Sequence, residues 1–207
     1  VGVTTGYRKL DRMTGGLRAG DLVLLAARPS MGKTALGAGI AARAAAAGHR
    51  VLFVSAEMTA EAIGARIVAA QARLPVMTML QGAVVDPGTN EFRQLNAAEA
   101  SDLVKAQTDL SAMPLEFDAR GAPTVASIRS RARRMARRGG LSLIVIDYLG
   151  KLTASDRARK QNRNVEVGEI AQHLKAMAME LRVPVLCLSQ LSREVERRDD
   201  KTPQLSD

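Results

Sequence analysis

The sequence predicts an α/β protein with a mainly parallel sheet flanked by helices on both faces. Three observations lead there. Apolar runs of strand length recur through the 207 residues with helical patterns between them. Four of the five runs are continuously apolar, as strands covered on both faces must be. The stretch "AARPSMGKT", residues 26–34, joins one such run to an alanine-rich helical pattern.

In chain order, the expected strands are 22–26 ("LVLLA"), 51–55, 115–117, 143–147 ("LIVID") and 185–189. The expected helices begin with 33–47, which is alanine-rich and stops at Gly48. The next, 60–73, follows Thr59 as an N-cap, with Glu61 in its first turn. A weakly amphipathic helix is expected over about 90–111. Thr124 would cap 125–138, which ends at Gly139-Gly140, and 165–181 ends before Val183-Pro184. Strands alternating with helices imply right-handed parallel crossovers. The polar stretch 150–164, rich in Arg, Lys, Asn and Gln, is expected to be a mobile loop.

Composition narrows the function. Apolar residues at 46% and charged residues at 25% are a globular balance that argues against wholesale disorder. No apolar run of about 18 residues exists, and the start "VGVTTGYRKL" has no secretory apolar region. A soluble, cytoplasmic protein without membrane attachment is the expectation. The single cysteine, Cys187, permits no intrachain disulfide and suits a reducing compartment. With His49 and His173 as the only histidines, a His/Cys metal site has too few ligands. Thirty Lys+Arg against 21 Asp+Glu give a net charge of +9, which favours an anionic partner. Three Phe, two Tyr and no Trp are too few to stack bases, so a nucleic acid would be held by its phosphates.

The motif at residues 27–34 departs from G-x-x-x-x-G-K-[ST] only in Ala27. Its setting, an apolar strand before and a helix starting at the lysine, converges backbone N–H groups on phosphate. The donors come from Ser30 onward (Ser30, Met31, Gly32, Lys33, Thr34 and Ala35), so Ala27 removes none of them. Lys33 would neutralise the β- and γ-phosphates of ATP, and the Thr34 hydroxyl would ligate Mg²⁺. Asp147 closes the run "LIVIDY" and is the candidate second Mg²⁺ ligand. Its neighbour is Tyr148, where an acidic residue is common. Glu57 in "FVSAEM" ends the strand after the loop's helix and is the candidate base. Gln190 ends the strand "VLCLS" at the same edge and suits a γ-phosphate sensor.

These stretches, together with "GVTTGYRKLDRMTGGLRAGD", "RSRARRMARRGG" and "LSREVERRDDKTPQLSD", resemble the successive motifs of the DnaB replicative helicase family in its RecA-like C-terminal ATPase domain. The resemblance runs from Val1 to Asp207, and "ARPSMGKT", with alanine first, is specific to that family. RecA and RadA recombinases share the fold but have more glycine-rich loops. The resemblance implies a RecA-like P-loop NTPase fold. It also implies a hexameric ring around single-stranded DNA, ATP at each subunit interface, 5′→3′ translocation, and primase and loader partners for the full-length protein. It gives Gln190 a role linking nucleotide to DNA loops. Ala56, where the family usually has leucine, is a minor departure.

The whole chain is expected to be one ATPase domain, without the family's N-terminal domain, linker helix, last strands or arginine finger, and so weakly active alone. Two basic loops could face a pore. The first carries Lys151, Arg157, Arg159, Lys160 and Arg163; the second carries Arg193, Arg197, Arg198 and Lys201. The arginine cluster from Arg129 to Arg138 lies on a helix outside the strand-end edge. It is read as a solvated or subunit-contact face in preference to a DNA face. A non-hydrolysing ATP-binding scaffold and a filament-forming recombinase are the competing readings.

Overall fold

Five strands form a parallel sheet: β1 (Leu22–Ala27), β2 (Val51–Ser55), β5 (Leu115–Asp118), β6 (Leu143–Asp147) and β7 (Val185–Gln190). Their spatial order is β1-β7-β6-β2-β5. The computed structural model describes residues 2–85, 91–119, 121, 123–152 and 163–191. Two further short strands, β3 (Ala83–Val85) and β4 (Phe92–Gln94), pair antiparallel in a separate sheet.

Strand periodicity sorts the core into two layers. Successive side chains point to opposite faces, so Leu52 and Val54, Ile144 and Ile146, and Val185 and Cys187 face one way. They pack with α6 (Val125–Gly139) and α7 (Arg163–Leu181) through Ile128, Met135, Ile170 and Leu174. Val51, Phe53, Leu143, Val145, Leu186 and Leu188 face the other way, onto α2 (Lys33–Ala46) and α3 (Ala60–Ala72). The expected two-sided cover is therefore present, and it explains why β2 and β6 are buried at every position.

Alanine dominates α2 because that helix lies close against the sheet. A Cβ added at Gly37 would stand 2.8 Å from a Leu188 methyl. Gly37→Ala is expected to push α2 off β7 and cost about 1–3 kcal/mol. Denaturant unfolding would show it as a lowered midpoint with unchanged slope.

The strands run as expected, with one added residue at the ends of β1, β5 and β7. Thr59 caps α3 by accepting from Ala62 N–H, and Thr124 forms a reciprocal capping box with Ser127 on α6. α3 ends one residue earlier than expected, with Arg73 left-handed at φ 58°. The helix expected over 90–111 is corrected. Phe92–Gln94 is strand, and the helix is α5 (Ala97–Ala112), opened by an Asn96–Glu99 capping box. Two short helices, α1 (Arg8–Thr14) and α4 (Val76–Gln81), have no counterpart among the expected elements. A 3₁₀ turn occupies Leu149–Lys151 and α7 begins at Arg163, so both ends of the expected loop 150–164 are helical. Its remaining residues 153–162 lie outside the described part.

Glu99 serves both its own helix and β4. Its carboxylate accepts from Arg93 and from the Asn96 N–H. The Arg93 hydrogen bonds, foremost, hold its carboxyl down at about 2. A depressed carboxyl contributes stability above its unfolded value and loses it as pH falls through the folded one. Carboxyl NMR is therefore expected to show Glu99 titrating near 2, with the α5 cap weakening as pH falls from about 4.5 towards 2.

Candidate nucleotide site

In parallel α/β sheets, ligands bind beyond the carboxyl ends of the strands. Four strand ends meet there in the order β1, β7, β6, β2, each about 4.8 Å from the next. They deliver the loop after β1, Gln190, Asp147 and Glu57 respectively.

The loop has the backbone of a phosphate cradle. Ser30 (φ 60°) and Gly32 (φ 82°) are left-handed, Gly32 immediately precedes α2, and Lys33, Thr34 and Ala35 form its first turn. A run mixing right- and left-handed residues turns successive N–H groups to one side, the geometry of an anion nest. Met31, on the loop crest, is exposed. Ala27 is not in the positive-φ region. It is the last residue of β1, registered against Gln190, and its carbonyl accepts from Leu191 N–H. Glycine has no conformational advantage there, so the alanine costs the cradle nothing.

Asp147 is fully buried, and neither carboxylate oxygen has a hydrogen-bond partner among the described residues. Its one close charge among them is Lys33, with Nζ 3.5 Å from Oδ1. A buried carboxylate normally accepts several hydrogen bonds. An anion left so under-satisfied has the donor chemistry that a divalent cation completes, with Thr34 opening the adjacent helix as a second oxygen ligand. Lys33 also lies over the Tyr148 ring, 4.0 Å from its centroid. Tyr148 thus supports the lysine from below. The sequence shows only the missing carboxylate at that position, because the contact spans 115 residues of chain.

Glu57 is exposed and accepts no hydrogen bond among the described residues. The turn that carries it is fixed on both sides: Ala56 N–H donates to the Asp147 carbonyl at 2.7 Å, and Met58 N–H donates to Ser55 Oγ at 3.0 Å. Ser55, buried at the end of β2, is not among the expected site residues, because an apolar strand ending in serine has no distinctive spacing. Gln190 ends β7 with an exposed side chain. Cys187 lies beneath, and burial pushes its thiol up to about 12 despite the nearby Lys33 charge. It stays protonated and takes no nucleophilic part.

The structure therefore brings Ser30–Ala35, Asp147, Glu57 and Gln190 to one edge. Of the basic candidates, Lys151 lies in the 3₁₀ turn after β6 and Arg163 opens α7. Arg157, Arg159, Lys160, Arg193, Arg197, Arg198 and Lys201 lie outside the described residues. On α6, Arg129 and Arg133 pair with Glu180 of α7, and Arg131 pairs with Glu116 and Asp118 of β5. Half of that cluster is thus spent on holding the helix to its neighbours.

Comparison with known proteins identifies the family and the fold. Residues 2–207 match the model of the DnaB-like helicase C-terminal domain. The replicative DNA helicase DnaB of Geobacillus stearothermophilus is 40% identical over 208 residues, covering 100% of this chain and 43% of the relative. That of Haemophilus influenzae is 42% identical over 209 residues, covering 100% and 42%. The chain spans less than half the length of these relatives. A DnaB-like replicative helicase, solved in a study of its interactions with primase, superposes with a TM-score of 0.88 at 32% identity, covering 100% of this chain and 48% of that one. A second solved structure, of an ATPase domain, gives the same TM-score and identity, covering 100% and 70%. With a family model matched from residue 2 to 207 and relatives 40% and 42% identical over its whole length, the chain belongs to the DnaB-like helicase C-terminal domain family.

Proposed function

We propose that this chain is the ATP-hydrolysing motor of a replicative DNA helicase, working as a subunit of a homo-hexameric ring that moves 5′→3′ on single-stranded DNA. The observation that carries the reading is the buried, hydrogen-bond-starved Asp147 facing Lys33 at the mouth of a phosphate nest. That arrangement suits a Mg²⁺–nucleotide, and Glu57, exposed at the same sheet edge, is the base that a non-hydrolysing scaffold would not need.

The N–H groups of Ser30 to Ala35 hold the β- and γ-phosphates of ATP, and Lys33 turns from Asp147 to them. Thr34 and Asp147 hold Mg²⁺, which when bound neutralises phosphate charge. Glu57, exposed and unencumbered, orients and deprotonates the attacking water. Gln190, one strand from the P-loop, senses the γ-phosphate and passes its state to the segment after β7. The basic residues of 151–163 and 193–201 track DNA phosphates. Primase and a helicase loader are partners of the full-length protein, in the cytoplasm of a bacterial or phage-infected cell. Among the described residues no helix is long and apolar enough to cross a membrane.

The test is ATP hydrolysis by the full-length protein with and without single-stranded DNA, together with unwinding of a duplex bearing a 5′ tail. DNA-stimulated hydrolysis with unwinding is the expected result. Hydrolysis with homologous strand pairing instead would place the protein with recombinases, and ATP binding without turnover would make it a scaffold.

A further inference from the structure

At the opposite end of the sheet from the P-loop lies a cavity of about 310 Å³, lined by Arg50, Glu116, Arg131, Arg134, Met135 and Arg138. Arg50 immediately precedes β2, Glu116 is the second residue of β5, and the other four lie on α6. The proposed nucleotide chemistry uses none of them.

Three features distinguish this cavity from ordinary surface charge. Four guanidinium groups share it with one carboxylate, and that carboxylate is engaged by Arg131 at 3.7 Å. Arg50, Arg134 and Arg138 have no acidic partner among the described residues. Among the described residues their guanidinium groups make one hydrogen bond, Arg134 donating to Ser130 Oγ at 2.9 Å. Next, Arg50 Nε is buried without a hydrogen-bond partner among the described residues, and buried donors without acceptors are rare and costly. Finally, the end of α6 is cut to admit Arg50. A Cβ at Gly139 would collide with its guanidinium, although Gly139 has no positive φ that would itself call for glycine.

We propose that Arg50, Arg134 and Arg138 form a phosphate-binding pocket separate from the nucleotide site, with Arg131 held in its wall by Glu116 and Asp118. A carboxylate is satisfied by one or two guanidinium groups, as Glu180 is by Arg129 and Arg133. Donors converging from the start of β2 and from successive turns of α6 suit an anion with three or four oxygens. The cavity is at the small end of ligand sites, about 300 Å³ and upward. It takes the phosphate of a small phosphorylated ligand or one phosphate of a nucleic-acid backbone.

The experiment is a titration of the protein with pyrophosphate, followed by arginine Nε–Hε and backbone amide NMR. Gly32 and Lys33 amides report the P-loop separately, so failure of the ATP reading and failure of this one are distinguishable. The expected result is a saturable shift of the Arg50 Nε–Hε signal, with affinity lowered about tenfold in Arg138→Gln. Gly139→Ala should do the same without changing charge, because only the flexible tip of Arg50 has to move and the fold is kept. Arg8→Gln/Arg12→Gln, on exposed α1, lowers net charge further and is expected to leave the affinity within about twofold. Single-stranded oligonucleotide in place of pyrophosphate distinguishes the sources. A shift with both identifies a backbone phosphate, and a shift with pyrophosphate alone a small ligand. Linear shifts that the α1 variant weakens as much as Gly139→Ala would overturn the pocket. So would a response to poly-glutamate with none to either phosphate probe.

Discussion

Lys33→Ala is expected to lower ATP hydrolysis roughly 10²–10³-fold, the usual cost of removing one preorganised donor from developing phosphate charge. It is also expected to destabilise the nucleotide-free protein. Lys33 is the close positive charge beside Asp147, which is fully buried and accepts no hydrogen bond among the described residues. Removing one member of a buried pair leaves an uncompensated charge, worth about 3 kcal/mol here at the low end of such losses. For a domain of this size that is a fall in Tm of roughly 6–10 °C. Lys33→Ala/Asp147→Asn should then regain most of the lost stability, because the buried charge is gone, and regain no hydrolysis. Thermal unfolding and steady-state turnover on the three proteins measure both effects. A double variant as unstable as the single one would show that the lysine's packing on Tyr148 matters more than its charge.

Glu57→Gln separates chemistry from stability in the opposite way. The side chain is exposed with no partner among the described residues, so the substitution is expected to change stability by no more than about 0.5 kcal/mol. ATP affinity is retained, because the nest and Lys33 are untouched. Hydrolysis falls by about 10²–10⁴, the contribution of a positioned general base. Turnover unchanged within about twofold would remove Glu57 from the base role. The turn around it is pinned by Ser55 and the Asp147 carbonyl through backbone N–H groups, so the substitution leaves the backbone in place.

The two experiments probe different parts of one edge. Asp147 sits inside the fold, so its loss of charge partner is expected to register in stability; Glu57 stands outside it, and its loss is expected to register only in turnover. The phosphate pocket around Arg50 lies at the far end of the strands, so neither substitution should disturb it.

Much of this was legible in the chain. The continuous apolar runs marked β2, β6 and β7 as buried strands, since only two-sided cover allows such runs. "ARPSMGKT" located the nest, and Thr59 and Thr124 marked two helix starts because capping is chemistry between neighbours in sequence. Elements that depend on distant partners were not legible. α1, α4 and the β3–β4 pair are too short to be stable by propensity and exist through what they touch. β4 was absorbed into the expected helix for that reason, though the Asn96-to-Glu99 spacing in fact signalled where α5 begins. Sequence by itself determined which residues are the candidates for phosphate chemistry, because the motif that marks them is written in local spacing. The order β1-β7-β6-β2-β5, the Lys33 contact with Asp147 and Tyr148, and the meeting of Arg50 with α6 over Gly139 were decided only by the tertiary structure. Each joins residues far apart in the chain, and burial and charge act on distance in space.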